Sequence, residues 1–388
     1  MTTKLRAASF QDGAVSTAKI AADAVTNAKI ADDAVQTENV ASTVNLGRRN
    51  MIINGAMQVA QRSTSSTSTS GIAYHTVDRF NFRGQSTGVF SIAQVTDSPD
   101  DFYYSTKITV TTPDTSIGGG QRYWVTSYLE GNTVSHLNFG TSSAKTVTLS
   151  FYVKSSLTGT FSGGLVNSSF DRAQAFTYTI SSANTWERKT VTISGDTSGT
   201  WLATTGIGLS VSFDLGAATN RQQSAGAWTA SGSVAATGAS QVIANNGATW
   251  QITGVQLEVG EQATPFEHRS FAEELALCHR YYQEFNYDTH GYYVTNGGAS
   301  SASQSKYLYT YYGGEMRATA SITTPSVSNG YRFLGSGNDH SHSTIPNIDN
   351  PSRLSVQFGN NQNTITAGNS FRLLLNASGA KIKFDAEL

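Results

Sequence analysis

Cysteine occurs once in the 388 residues, as Cys278. A single thiol cannot form an intrachain disulfide or supply a cysteine-based zinc site. Charge is scarce too: Asp, Glu, Lys and Arg make up 14% of the chain, against roughly 25% in an average soluble domain. The 26 basic and 27 acidic residues leave a net charge of −1. A protein that neutralises phosphates needs a basic face, so no nucleic-acid partner is expected. Whatever surface binding the chain performs is expected to respond little to salt. No run of 18 apolar residues occurs, so no membrane insertion is expected. The start, MTTKLRAASFQDGAV, has no apolar core of a signal peptide, and Sec-type secretion is not expected. Nucleophile-elbow, phosphate-loop and metalloprotease patterns are absent as well.

What the chain does contain begins with a repeat. Residues 11–40 read QDGAVSTAKI, AADAVTNAKI, ADDAVQTENV. Val15, Ile20, Val25, Ile30, Val35 and Val40 recur every five residues. A step of five puts successive residues on opposite faces of a strand, and a ten-residue period drifts around a helix. Neither form buries these six positions within one chain. Their sparse apolar surface does not offset the entropy of ordering thirty residues. The pattern makes sense if several copies wind together with Val and Ile on a shared axis. The alternative is a disordered linker. Residues 1–45 are therefore assigned to an attachment segment and shaft.

From about 46 to 268 the pattern changes to short period-two runs. In KTVTLSFYVKS, Val147, Leu149, Phe151 and Val153 alternate with polar residues. In IGLSVSFDL, Ile207, Leu209, Val211, Phe213 and Leu215 do the same. GVFSIAQV, STKITVTT, AQAFTYTIS, WERKTVTIS and WQITGVQLEV extend the set. Such runs, separated by Gly, Ser and Asn, predict an antiparallel β-sandwich of jelly-roll type. Residues 61–71 and 216–248 read as low-complexity loops. Ser270 with Glu273 three residues later forms a capping-box signature, and the spacing of Phe271, Leu275, Cys278 and Tyr282 predicts a helix over 270–284. Residues 269–388 are assigned to this linking helix plus a distal β domain. There YLYTYYGG places Tyr307, Tyr309 and Tyr311 on one face. The expected fold class is mainly β.

RRNMIINGAMQVAQRS (48–63), YHTVDRFNF (74–82), ITGVQLEVGEQATPFEHRSFAEELALCHRYYQ (252–283) and GGEMRATASITTPSV (313–327) resemble segments of tail-fibre and tail proteins of tailed bacteriophages. The decapeptides are similar to the fibrous shafts of such proteins. The resemblance implies a carbohydrate-binding-module-like jelly roll, a C-terminal β domain and a homotrimeric virion protein. It also implies that the N-terminus docks on a phage tail or baseplate protein and that the distal parts contact host surface polysaccharide. The Ser-, Thr-, Gly- and Tyr-rich composition without an export signal suits a virion tail component assembled in the host cytoplasm and released by lysis.

Within that frame the residues give specific expectations. Asp78 and Arg79 read as a partly buried ion pair. Glu258, Glu267, His268 and Arg269 are expected to tie the last sandwich strand to the helix. Trp186, Trp201 and Trp250 are expected in the core, and Tyr281 and Tyr282 in a core or interface. Tyr292, Tyr293 and Tyr312 neighbour glycine-rich turns and are the candidate glycan contacts, because rigid amphipathic rings suit sugar faces. His340-Ser341-His342 lies among turn formers and reads as a loop. Were it extended, both imidazoles would share a side, and three chains on a threefold axis would supply six nitrogens to a metal, as in trimeric phage needles. No other cofactor is expected. Glycoside hydrolysis needs two carboxylates across a cleft. The adjacent pairs Asp32-Asp33, Asp100-Asp101 and Glu273-Glu274 do not suit it, so attachment without cleavage is expected. A polysaccharide-degrading tailspike and a purely structural tail component are the alternatives.

Overall fold

The computed structural model describes residues 48–388, except 69–70, 291–292, 302–303, 312–313, 336–337 and 362–369. The shaft positions Val15, Ile20, Val25, Ile30, Val35 and Val40 lie outside the described residues. Arg49–Leu388 form one compact unit. Its architecture is mainly β, with short helices only. Among the described residues no helix is long and apolar enough to cross a membrane.

Two antiparallel sheets form the sandwich. The first runs Ser65–Ser68, Val89–Val95, Ser105–Thr112, Thr249–Val259, Val147–Ser155 and Glu187–Ile193 in spatial order. The second runs Trp228–Thr229, Ala173–Ile180, Gly159–Val166, Ile207–Ala217, Arg122–Glu130, Asn81–Gly84 and Gly71–Ala73. The period-two pattern explains how they pack. Val147, Leu149, Phe151 and Val153 of the first sheet share one core with Leu209, Val211, Phe213 and Leu215 of the second. Trp250 sits in that core and donates its indole N–H to the Tyr178 hydroxyl at 3.1 Å. Trp186 does not follow it inward: it is half-buried just before the strand Glu187–Ile193, whereas Trp201, also half-buried, packs against the core from outside the strands. The Ser/Thr-rich stretch 61–71, expected as a loop, instead supplies the edge strand Ser65–Ser68. It pairs in register with Phe90–Ala93. Unpaired backbone at a sheet edge accepts such a strand whatever its side chains.

The helix spans Phe271–His279, shorter than expected. Ser270 caps it, its hydroxyl accepting from the Glu273 backbone N–H at 3.3 Å. Ser270→Ala is expected to cost about 1 kcal/mol, read by urea unfolding. The expected apolar face holds in part: Cys278 is buried and Leu275 half-buried, as expected. Phe271 is exposed, and Glu274 and Cys278 are the buried pair. Tyr281 and Tyr282 are buried as expected but lie past the helix. Tyr282 opens the strand Tyr282–Asn286, paired with Lys381–Asp385. The aromatic content of YYQEF favours a strand once a partner edge is available.

A second core follows, built from residues of 285–386. Tyr309 and Tyr311 are buried there, with Tyr309 stacked on Phe384 at 5.1 Å between ring centroids. The sandwich and this body meet across a buried ionic network. Asp78 and Arg79 are both buried, but they do not pair with each other. Asp78 faces Arg62 at 3.3 Å, and Arg79 pairs with Glu387. Arg79 has φ 68, an αL conformation that turns its side chain away from its neighbour. Its guanidinium lies 3.4 Å from the Tyr281 ring centroid, and Arg62 lies 3.6 Å from that of Tyr282. Arg280 adds a bidentate pair to Glu130, at 2.7 and 2.8 Å.

Candidate functional site

The outer face of the first sheet carries a cleft of about 760 Å³ lined by Asp101, Phe102, Tyr152, Arg188, Ala263, Pro265, Phe266 and His268. That volume is in the range of small-ligand sites. Each wall is placed by a local feature of the sequence. On the strand Val147–Ser155, the side chains between the core positions point outward, and Tyr152 is one of them. In register it stands between Arg188 and Thr253 on the neighbouring strands. The floor is a β-bulge between Thr253 and Gln256. Gly254 sits in that bulge at φ 62, and a Cβ there would lie 2.7 Å from Phe102 and 2.9 Å from Tyr152. Only glycine leaves room for both rings.

One wall is the turn before Ser105. Phe102 meets Tyr152, Phe266 and His268 at centroid distances of 5.4, 5.0 and 5.2 Å. Asp97 anchors this turn. Its carboxylate pairs with Lys154 and accepts from the Trp186 indole and the Gln251 amide, both at 3.3 Å. Burial pushes the Asp97 carboxyl up, but the hydrogen bonds from Lys154 and Trp186 outweigh it and hold it below the usual range. The other wall is 263–268. Glu258 accepts from the Thr264 backbone N–H at 2.8 Å and hydroxyl at 2.7 Å. The Gln256 amide oxygen accepts from Glu267 N–H at 2.8 Å. Arg188 donates to the Thr264 carbonyl at 2.9 Å. These ties hold both walls, so the cleft is formed in advance of any ligand. Rings beside an ionisable rim, here Asp101 and Arg188, can take a sugar's C–H face and hydroxyls together.

None of the residues expected as glycan or metal contacts is among those lining the cleft. Tyr292 and Tyr312 lie outside the described residues, and Tyr293 opens the strand Tyr293–Ser301 with its side chain outside them. The stretch holding His340 and His342 is a strand, Asn338–His342, not a loop. It pairs with Tyr331–Gly335, with His340 in register with Phe333 and His342 with Tyr331. Backbone pairing overrides the turn-forming composition there. Among the described residues no group of three or more His, Cys, Asp or Glu could hold a metal; a threefold site would draw on further copies of the chain. Of the expected tying residues, Glu267 accepts from the Arg49 and Asn50 backbone at 2.7 and 2.6 Å. Arg269 reaches the Ile52 carbonyl at 3.1 Å and Glu274 at 3.4 Å. His268 instead lines the cleft. Asp101, set aside in the sequence as half of the Asp100-Asp101 pair, lines the cleft as well.

No family model matches the chain, and no curated protein does. Among solved structures, the chain is similar to the enzymatically active domain of tailspike protein 4 of bacteriophage CBA120, at 14% identity and TM-score 0.31, over 54% of this chain and 21% of that one. It is similar to a putative sugar-binding protein from Bacteroides thetaiotaomicron, at 14% identity and TM-score 0.28, over 55% of this chain and 100% of the other. It is also similar to the family 11 carbohydrate-binding module of a Clostridium thermocellum cellulase, at 12% identity and TM-score 0.27, over 51% of this chain and 100% of the module. The chain thus spans about a fifth of that tailspike domain's chain. The two-sheet architecture rests on its own strand pairing.

Proposed function

We propose that this chain is a virion tail protein that attaches to host-surface glycan through the cleft on the first sheet and does not cleave it. The cleft carries the reading: four rings, Phe102, Tyr152, Phe266 and His268, stand beside Asp101 and Arg188 in a volume suited to a short saccharide. Asp101 is its single lining carboxylate, whereas glycoside hydrolysis works with two. The sequence resemblance to tail-fibre proteins supplies the biological setting. In it the chain is a homotrimer docked by its N-terminus on a tail or baseplate protein. Weak sites suffice there, because several copies act together through avidity.

The test is titration of the full chain with oligosaccharides released from host-surface polysaccharide, with reducing ends followed in parallel. Saturable binding without new reducing ends is expected. Tyr152→Ala and Phe102→Ala are each expected to weaken it about tenfold, as truncation of a buried aromatic anchor does. Gly254→Val should do the same by driving a side chain into both rings. Release of reducing ends would replace this reading with a degrading enzyme. Binding untouched by all three variants would move the site off the cleft.

A further inference from the structure

The outer face of the second sheet holds a cluster that the cleft does not use. On Arg122–Glu130 the outward residues are Arg122, Trp124, Thr126 and Tyr128, since Tyr123, Val125 and Leu129 enter the core. Cross-strand register adds Arg83 beside Trp124 and Asn81 beside Thr126. The Arg122 guanidinium lies 4.2 Å from the Trp124 ring centroid, 5.6 Å from that of Phe170, and Arg83 lies 5.9 Å from Trp124. Arg221 reaches the same corner, its Nε donating to the Gly120 carbonyl at 3.3 Å. None of these three arginines forms an ion pair among the described residues. Asp214 faces the same side opposite Trp124, but its carboxyl is turned to Ser162 Oγ at 2.9 Å and Gly216 N–H at 3.0 Å.

Three guanidinium groups close together without a carboxylate are unfavourable. Burial pushes Arg122 down to about 10, and repulsion from Arg83 and Arg221 adds to the fall. Polar atoms around them lack protein partners: Nε of Arg83 and Arg122, Nε1 of Trp124, both side-chain polar atoms of Asn81, and Ser210 Oγ. Asn81, Ser210 and Trp124 are each at most 2% exposed. Buried polar groups are ordinarily satisfied, so several orphans on one face mark a place where a partner is missing. Guanidinium forks match the paired oxygens of carboxylate and phosphate, and the contact with the Trp124 ring orients Arg122 in advance.

We infer that Arg83, Arg122 and Arg221, held around Trp124, form a second binding site, selective for an oxyanion carried on a saccharide. The oxyanion part stands on the arginines. The saccharide as its carrier rests on the glycan reading above. A nucleic acid does not fit, since three arginines at one corner of a chain of net charge −1 make no extended basic face to track a phosphate backbone.

The experiment titrates the full chain by calorimetry with trigalacturonate, with its neutral methyl ester, and with a phosphorylated trisaccharide, at low and at physiological salt. At least one acidic probe is expected to bind about tenfold or more tighter than the ester, and to weaken as salt rises. Which acidic probe binds assigns carboxylate or phosphate as the natural group. Arg83→Gln and Arg221→Gln, both at half-buried positions, should remove that preference, and Arg122→Met should do so most strongly. Tyr152→Ala should leave it intact. Equal binding of acid and ester would overturn the proposal, as would a preference surviving both glutamine variants. Loss of neutral-glycan binding in Tyr152→Ala alone bears on the cleft, so the two readings fail separately.

Discussion

Glu387→Gln is expected to destabilise the protein by about 3–5 kcal/mol, although Glu387 is next to the last residue of the sequence. Changes near a chain end are usually tolerated. Here the carboxylate is buried, 5% exposed, and pairs with Arg79, itself 1% exposed, and with Arg62 at 3.3 Å. Arg79 also donates to the Tyr128 carbonyl at 2.6 Å and stacks on Tyr281. Burial pulls the Arg79 pKa down, and Glu387 more than reverses it, so the pair is charged and mutually dependent. Breaking such a pair from one side strands the other charge, which is costlier than losing the pair's net contribution. Arg79→Met combined with Glu387→Gln is therefore expected to cost clearly less than the sum of the single changes. Urea unfolding of the four proteins reads both statements. Additive costs would show that the network does not lock the sandwich to the distal body.

Asp214→Asn is expected to stabilise the protein at pH 8 by up to roughly 4 kcal/mol, with the gain fading toward pH 4. Asp214 is fully buried without a cation, and burial pushes its carboxyl up to about 7, against modest opposition from Ser162 and Gly216. A carboxyl whose folded pKa is above its unfolded one binds more protons folded than unfolded between the two values. Stability therefore falls as pH rises through that window, here from about 4 to about 7. Above it the cost of burying the anion is carried in full. Asn keeps the shape, can accept from the Gly216 N–H and can donate to Ser162. Denaturation midpoints of the two proteins from pH 4 to 9 decide it. Asp214→Asn less stable than the parent at pH 8 would mean that the carboxylate is held by a favourable contact.

The mainly β fold was legible because alternation needs only local information. Val147, Leu149, Phe151 and Val153 announce a half-buried strand before any partner is known. The helix end was not legible, because Tyr281 and Tyr282 continue a helical spacing while the strand they enter is selected by Lys381–Asp385, a hundred residues on. The same holds for Ser65–Ser68 and for His340 and His342, strands made by an available edge and not by their side chains. The cleft was illegible for a related reason. Its residues come from four stretches between 101 and 268, and its floor depends on a single glycine in a bulge. The arginine corner was hidden by arithmetic. A net charge of −1 predicted little salt dependence, yet three uncompensated arginines gathered by register make a local field that a sum over the chain cancels.

The central claim is that the aromatic cleft of the sandwich recognises the host surface. It is tested most directly by letting the purified chain compete with intact phage for host cells, parent against Tyr152→Ala, after confirming equal thermal stability. The parent is expected to block adsorption in proportion to its concentration, and the variant to need about tenfold more. Equal blocking by both, or none by the parent, would contradict the account.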